Sequence, residues 1–136
     1  MKVVLDTNCL LRAVASKSVY HCILTALHQR RYTLCYSNDI LMEYEETLLR
    51  FFARKTVDHA MNFIFYSVNT LFVAPYYKWN LITTDPDDNK FVDCAINAGA
   101  DCIVTNDKHF NILKTIDFPK INIIDIDTLK KLISVL

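Results

Sequence analysis

Four acidic residues, Asp6, Glu43, Asp88 and Asp107, each stand where an apolar run gives way to polar residues or where a helix is expected to begin. Packing bare carboxylates together is unfavourable, because each negative charge disfavours ionisation of the next. A hard cation with oxygen ligands removes that repulsion, and Mg2+ or Mn2+ suits a set of carboxylates completed by water. An ion held in this way neutralises charge on phosphate and activates water for in-line attack on phosphorus. Such chemistry needs no His, Ser or Cys nucleophile.

The composition narrows the alternatives. At 136 residues and 52% apolar content, the chain is expected to form a single domain over residues 1–136. It holds one glycine, Gly99, whereas the phosphate-binding loops of the Walker A and GxGxxG kinds need several. Nucleotide binding through a glycine-rich loop is thereby excluded. Five cysteines form no CxxC pair and lie mostly in apolar segments, as reduced thiols in a cytoplasmic protein would. Asp6 and Arg12 interrupt any signal-peptide core, and the longest apolar stretch, Met61 to Phe72, is too polar and too short to span a bilayer, so no membrane association is expected. With 15 basic and 15 acidic residues the net charge is zero, and any attraction for phosphate must be local.

Alternating elements must position the acids. Lys2 to Leu5 reads as a buried strand, followed by a helix capped by Thr7 or Asn8 and running to about Ala15. A second helix is expected from about Ser18, with Val19, Cys22, Ile23, Ala26 and Leu27 at helical spacing. Thr33 to Tyr36 reads as strand two, and a helix capped by Ser37, Asn38 or Asp39 turns Ile40, Leu41, Tyr44 and Leu48 inward. The pattern predicts a helix from Thr56 to about Leu71, a third strand around Phe72 to Ala74, and a helix opened by Asp88 and ending at Ala98. Cys102 to Thr105 and Ile121 to Ile124 read as strands four and five, before a closing helix from about Asp127 to Val135. Strand and helix in alternation predict an α/β fold with a parallel sheet of about five strands covered on both faces.

In such sheets the functional crevice lies beyond the carboxyl ends of the strands. Asp6 ends strand one and Asp107 follows strand four, while Glu43 lies in the first two turns of a helix and Asp88 begins another, so all four can converge at one rim.

At this point the residues resemble a family. Val3-Val4-Leu5-Asp6-Thr7-Asn8, Ser37-Asn38 with Glu43, Asp85-Pro86-Asp87-Asp88-Asn89-Lys90-Phe91 and Ala100-Asp101-Cys102-Ile103-Val104-Thr105-Asn106-Asp107 look, in that order and spacing, like a PIN domain. The similarity is to the prokaryotic VapC-like group of toxins from toxin-antitoxin systems and covers nearly the whole chain. It implies a three-layer α/β/α fold, a Mg2+- or Mn2+-dependent endoribonuclease activity on single-stranded RNA, and often a homodimer held with an antitoxin. Carried over by position, Asp6, Glu43, Asp88 and Asp107 are the catalytic, metal-binding acids, and Thr7, Asn8 and Thr105 are polar residues that orient them. Asp88 takes the third place because it stands seven residues before Ala95. Asp93 lies about 140° around the helix from it. Asp85 and Asp87 remain as accessory acids.

Other readings stay open. A haloacid-dehalogenase-type phosphatase wants a second Asp two residues after the first, where this chain has Asn8. A catalytically inactive PIN fold that binds RNA or protein, and a solitary RNA-processing nuclease, are the remaining alternatives. His21, His28, His59 and His109 lack metal-ligand spacing and read as surface or packing residues. Arg12 and Lys108, with Arg30, Arg31 and the Arg50, Arg54, Lys55 group, are candidates for steering RNA. Phe51, Phe52, Phe63, Phe65 and Tyr66 read mostly as core, with an apolar excess left over for a partner. The acidic pocket is expected to contain no cation of its own, so that an antitoxin Arg or Lys would supply one.

Overall fold

Val3, Val4 and Leu5 are buried without remainder, as the central strand of a doubly covered sheet must be. In the computed structural model, which describes residues 1–75 and 77–135, they form β1, Lys2–Leu5. The other strands are β2 (Thr33–Tyr36), β3 (Thr70–Phe72), β4 (Cys102–Val104) and β5 (Ile123–Ile124). Their order is β3-β2-β1-β4-β5, with every neighbouring pair parallel. Helices α1 (Thr7–Val14), α2 (His21–His28), α3 (Asn38–Phe51), α4 (Arg54–Tyr66), α5 (Asn89–Ala98) and α6 (Ile126–Ser134) complete a three-layer α/β/α fold, in which α5 packs on β1, β2 and β4. Among the described residues no helix is long and apolar enough to cross a membrane.

The order places a topological switch between β1 and β4. From β1 the chain builds outward through β2 and β3, then returns to add β4 and β5 on the other side. Crevices form where the connections leave adjacent strands in opposite directions. The register pairs Leu5 with Val104, so Asp6 and Thr105 emerge side by side at this point.

Several boundaries differ from the pattern-based expectation. Asp6, not Thr7 or Asn8, caps α1, its carboxylate accepting from the Thr7 N–H. Helix α2 begins three residues later than expected, after a turn closed by the His21 N–H on the Ser18 carbonyl. Helix α4 ends at Tyr66 rather than near Leu71, and β3 starts at Thr70. Asn69 explains the switch: its amide donates to the carbonyls of Leu27 and Tyr32, pinning the chain alongside β2. Phe51, Phe65 and Tyr66 are solvent-facing, so the aromatic run is only partly core. A 3-10 helix over Lys108–Thr115 was not foreseen; it buries Phe110 and Leu113, whose spacing of three suits that geometry.

Helix α3 is locked to β1 by one buried bond, from the Tyr44 hydroxyl to the Leu5 carbonyl at 2.6 Å. It sets the height of the neighbouring Glu43 relative to Asp6. Tyr44→Phe keeps the ring packing and deletes this bond, and a loss of about 1–2 kcal/mol in urea unfolding is expected. An unchanged stability would contradict the assigned role of Tyr44.

Candidate active site

Asp6 is the hub of the rim. Its backbone N–H donates to Val104 O of the neighbouring strand, and its own carbonyl accepts from Cys9 and Leu10 to start α1. The side chain is buried, with Oδ1 accepting from the Thr7 N–H at 2.8 Å and Oδ2 from the Thr105 hydroxyl at 2.7 Å. Burial raises the Asp6 pKa above the ordinary carboxylate value; the two hydrogen bonds oppose the shift, and the charges of Asp107 and Glu43 add to it.

Two threonines tie the other acids to this hub. Thr105 Oγ also accepts from the Asp107 N–H at 3.0 Å, so one hydroxyl fixes both Asp6 and Asp107. Thr7 donates its hydroxyl to Glu43 Oε2 while its N–H holds Asp6. The remaining Glu43 oxygen accepts from Lys90 Nζ at 2.8 Å. Asp107 Oδ1 accepts from the His109 N–H at 2.9 Å and caps the 3-10 helix that follows.

Asp88 is treated differently. It ends a 3-10 turn, Pro86–Asp88, that runs directly into α5, and it is only 9% exposed. Its Oδ2 is buried without a hydrogen-bond partner among the described residues. Burial first, then the charges of Asp85, Asp6 and Asp107, push its pKa up to about 7, against a small opposing contribution from His109. A buried carboxylate oxygen that accepts no hydrogen bond is costly unless a proton or a positive charge answers it. Carboxylate oxygens suit a hard divalent cation, and among the described residues Asp85, Asp88 and His109 bring ligand atoms to within 4.8 Å of one another, whereas Asp6 and Asp107 are near enough to act on Asp88 by charge.

The remaining candidates divide. Asp85 Oδ1 accepts from the Asp87 N–H, leaving Oδ2 at 3.9 Å from His109 Nδ1. Asp87 is exposed and lines an open groove with Asp39, Glu43, Glu46, Arg50 and Lys90. Asn8 is exposed and makes no side-chain hydrogen bond among the described residues, so it orients none of the acids here. Arg12 lies over the Tyr20 ring at 5.9 Å, whereas Lys108 sits with Thr105, Asn106 and Asp107 along a second groove. Asp93 accepts from the Trp79 N–H and so anchors the loop before α5.

Two residues escaped the sequence reading. The expectation that the pocket holds no cation is wrong, because Lys90 reaches Glu43. Its signal was a lysine in the first turn of a helix, where the macrodipole disfavours positive charge unless an acid compensates. His109 is not a mere surface or packing residue either: its Nδ1 lies 3.4 Å from Asp107, 3.6 Å from Asp88 and 3.9 Å from Asp85. Only its position two residues after Asp107 hinted at this.

A family model described as PIN domain matches residues 2–109. No curated protein matches the sequence. Among solved structures, the chain is similar to one in the crystal structure of VapBC2 from Rickettsia felis bound to a DNA fragment from their promoter. The TM-score is 0.63 at 18% identity, over 92% of this chain and 98% of that one. At this identity the likeness is one of fold.

Two outcomes follow from the geometry. The folded chain keeps a proton on Asp88 up to about pH 7, whereas the unfolded chain loses it near 3.8. The folded state thus binds more protons in that window, and stability declines as pH rises through it. Without divalent metal the melting temperature should be higher at pH 5 than at pH 8, and Asp88→Asn should remove most of the difference; an equal slope in the variant would contradict the assignment. For the partly buried Lys90–Glu43 pair, a double-mutant cycle of Lys90→Ala with Glu43→Gln should give a coupling of about 1–2 kcal/mol. Strict additivity would show that the pair contributes nothing.

Proposed function

The chain belongs to the PIN-domain family, and from that premise we propose that it is a metal-dependent endoribonuclease that hydrolyses phosphodiester bonds of single-stranded RNA, acting as the toxin of a type II toxin-antitoxin pair. The observation that carries the nuclease reading is the gathering of Asp6, Glu43, Asp88 and Asp107 from four separate segments at one sheet edge, with the buried Asp88 Oδ2 left without a donor among the described residues.

In this reading Asp6, Glu43, Asp88 and Asp107 would hold Mg2+ or Mn2+. Bound there, such an ion supplies neutralisation of phosphate charge and a more acidic water for in-line attack on phosphorus. The chain's own residues do the positioning. Thr105 ties the Asp6 carboxylate to the backbone of Asp107, and Thr7 couples Asp6 to Glu43. Lys90 holds Glu43 and places a positive charge beside the acids, in the groove that also contains Arg50. Because the net charge is zero, these local cations and Lys108 must provide the attraction for an RNA backbone. Arg12, stacked on Tyr20, is a weaker candidate.

The toxin role is supported by the likeness to a chain of VapBC2. The exposed aromatic residues Phe51, Phe65, Tyr66 and Phe72 offer apolar area suited to burial against a cognate antitoxin or a second copy of the chain in the cytoplasm.

Purified protein should cut single-stranded RNA with Mn2+ or Mg2+, leave 3′-hydroxyl and 5′-phosphate ends, and fall silent with a chelator. Asp6→Asn should lower the rate by ~100-fold or more. Products ending in 2′,3′-cyclic phosphate would point to attack by the ribose hydroxyl and overturn the proposal. If cleavage occurs but no adjacent gene product binds the protein, the toxin role gives way to a solitary RNA-processing nuclease.

A further inference from the structure

Asp88, one of the four acids, also belongs to a second grouping: Asp85, Asp88 and His109 bring one ligand atom each to within 4.8 Å of one another. His109 Nδ1 is 3.6 Å from Asp88 Oδ2 and 3.9 Å from Asp85 Oδ2. These separations are too long for hydrogen bonds. They suit atoms sharing one ion, since ligands at ~2.1 Å from a common centre stand ~3–4 Å apart.

The cluster is not a loose acidic surface. Asp88 is 9% exposed, and its buried Oδ2, without a donor among the described residues, faces His109. Each neighbour is anchored through its other polar group. The Asp85 Oδ1 is held by the Asp87 N–H, and His109 is held by its own N–H on Asp107. The ring nitrogen and two carboxylate oxygens are left directed at the same space.

Imidazole adds little to Mg2+ binding and more to the first-row divalent ions, for which affinity rises from Mn2+, the weakest, through Fe2+ to Ni2+ and Zn2+. We propose that Asp85, Asp88 and His109 form a nitrogen-bearing cation position flanking the Asp6–Asp107 pair, one that takes first-row divalent ions, from Mn2+ onward, in preference to Mg2+. The proposal rests on the reading of Asp88 as a metal ligand. The competing account is an imidazolium that serves as a fixed counter-ion to the carboxylates.

The test is pulsed electron paramagnetic resonance of untagged, metal-free protein loaded with Mn2+. A nitrogen coupling on the bound ion is expected. It should vanish in His109→Asn and persist in His59→Asn. His109 is half-exposed, so its replacement leaves the core intact. In calorimetric titrations His109→Asn should weaken Mn2+ binding by about tenfold or more while Mg2+ affinity stays within about twofold. Bound Mn2+ with no nitrogen coupling, or a coupling that survives His109→Asn, would overturn the proposal and leave the nuclease reading intact if RNA is still cut. Failure to bind Mn2+ at all, with no metal-dependent cleavage, would overturn both.

Discussion

Repulsion between carboxylates at the carboxyl ends of β1 and β4 is the constraint around which this rim is organised. The register that sets Leu5 beside Val104 makes the following residues, Asp6 and Thr105, unavoidable neighbours, and Asp107 follows two residues later. Burial raises the pKa of both Asp6 and Asp88, and the neighbouring carboxylates push in the same direction. The fold counters it with specific donors. Thr105 serves Asp6 and positions Asp107, Thr7 serves Asp6 and Glu43, and Lys90 closes the remaining oxygen of Glu43.

The compensation is unequal. Asp6 and Glu43 have both carboxylate oxygens engaged by protein groups, whereas Asp88 keeps a buried oxygen with no donor among the described residues. Such an oxygen would ordinarily be costly, and persists in native proteins where a proton, ion or ligand answers it. The electrostatic need of the site is thus concentrated at one atom, with His109 and Asp85 close by. Asp6 is tied to the sheet by backbone bonds and Asp88 lies at the entry to α5, so the geometry of that need is set by rigid elements rather than by a mobile loop.

Much of this was legible in the chain. Short apolar runs ending at Asp6 and just before Asp107 marked strands whose carboxyl ends carry acids, whereas the hydroxyl bonds of Thr7 to Glu43 and of Thr105 to Asp6 span 36 and 99 residues, so those roles came from the family resemblance and not from local pattern. Asn8 shows the limit of the resemblance: it lies one residue beyond Thr7 and is exposed. The end of α4 was misread because Val68, Leu71 and Phe72 continue an apolar pattern, while the deciding contacts of Asn69 with Leu27 and Tyr32 span 42 and 37 residues. Lys90 and His109 were missed for the same reason. Their partners are fixed by topology, which brings 47 residues of separation between Lys90 and Glu43 down to one ion pair.

The account stands or falls on whether this edge takes up a cation. The most direct measurement is the melting temperature of the metal-free protein at pH 7.5 across Mn2+ and Mg2+ concentrations from micromolar to tens of millimolar, for the natural sequence and for Asp88→Asn. A ligand that binds only the folded state raises the melting temperature continuously with its concentration. The account predicts such a rise for the natural sequence and its loss, in greater part, for Asp88→Asn. A melting temperature indifferent to both ions over that range would contradict it.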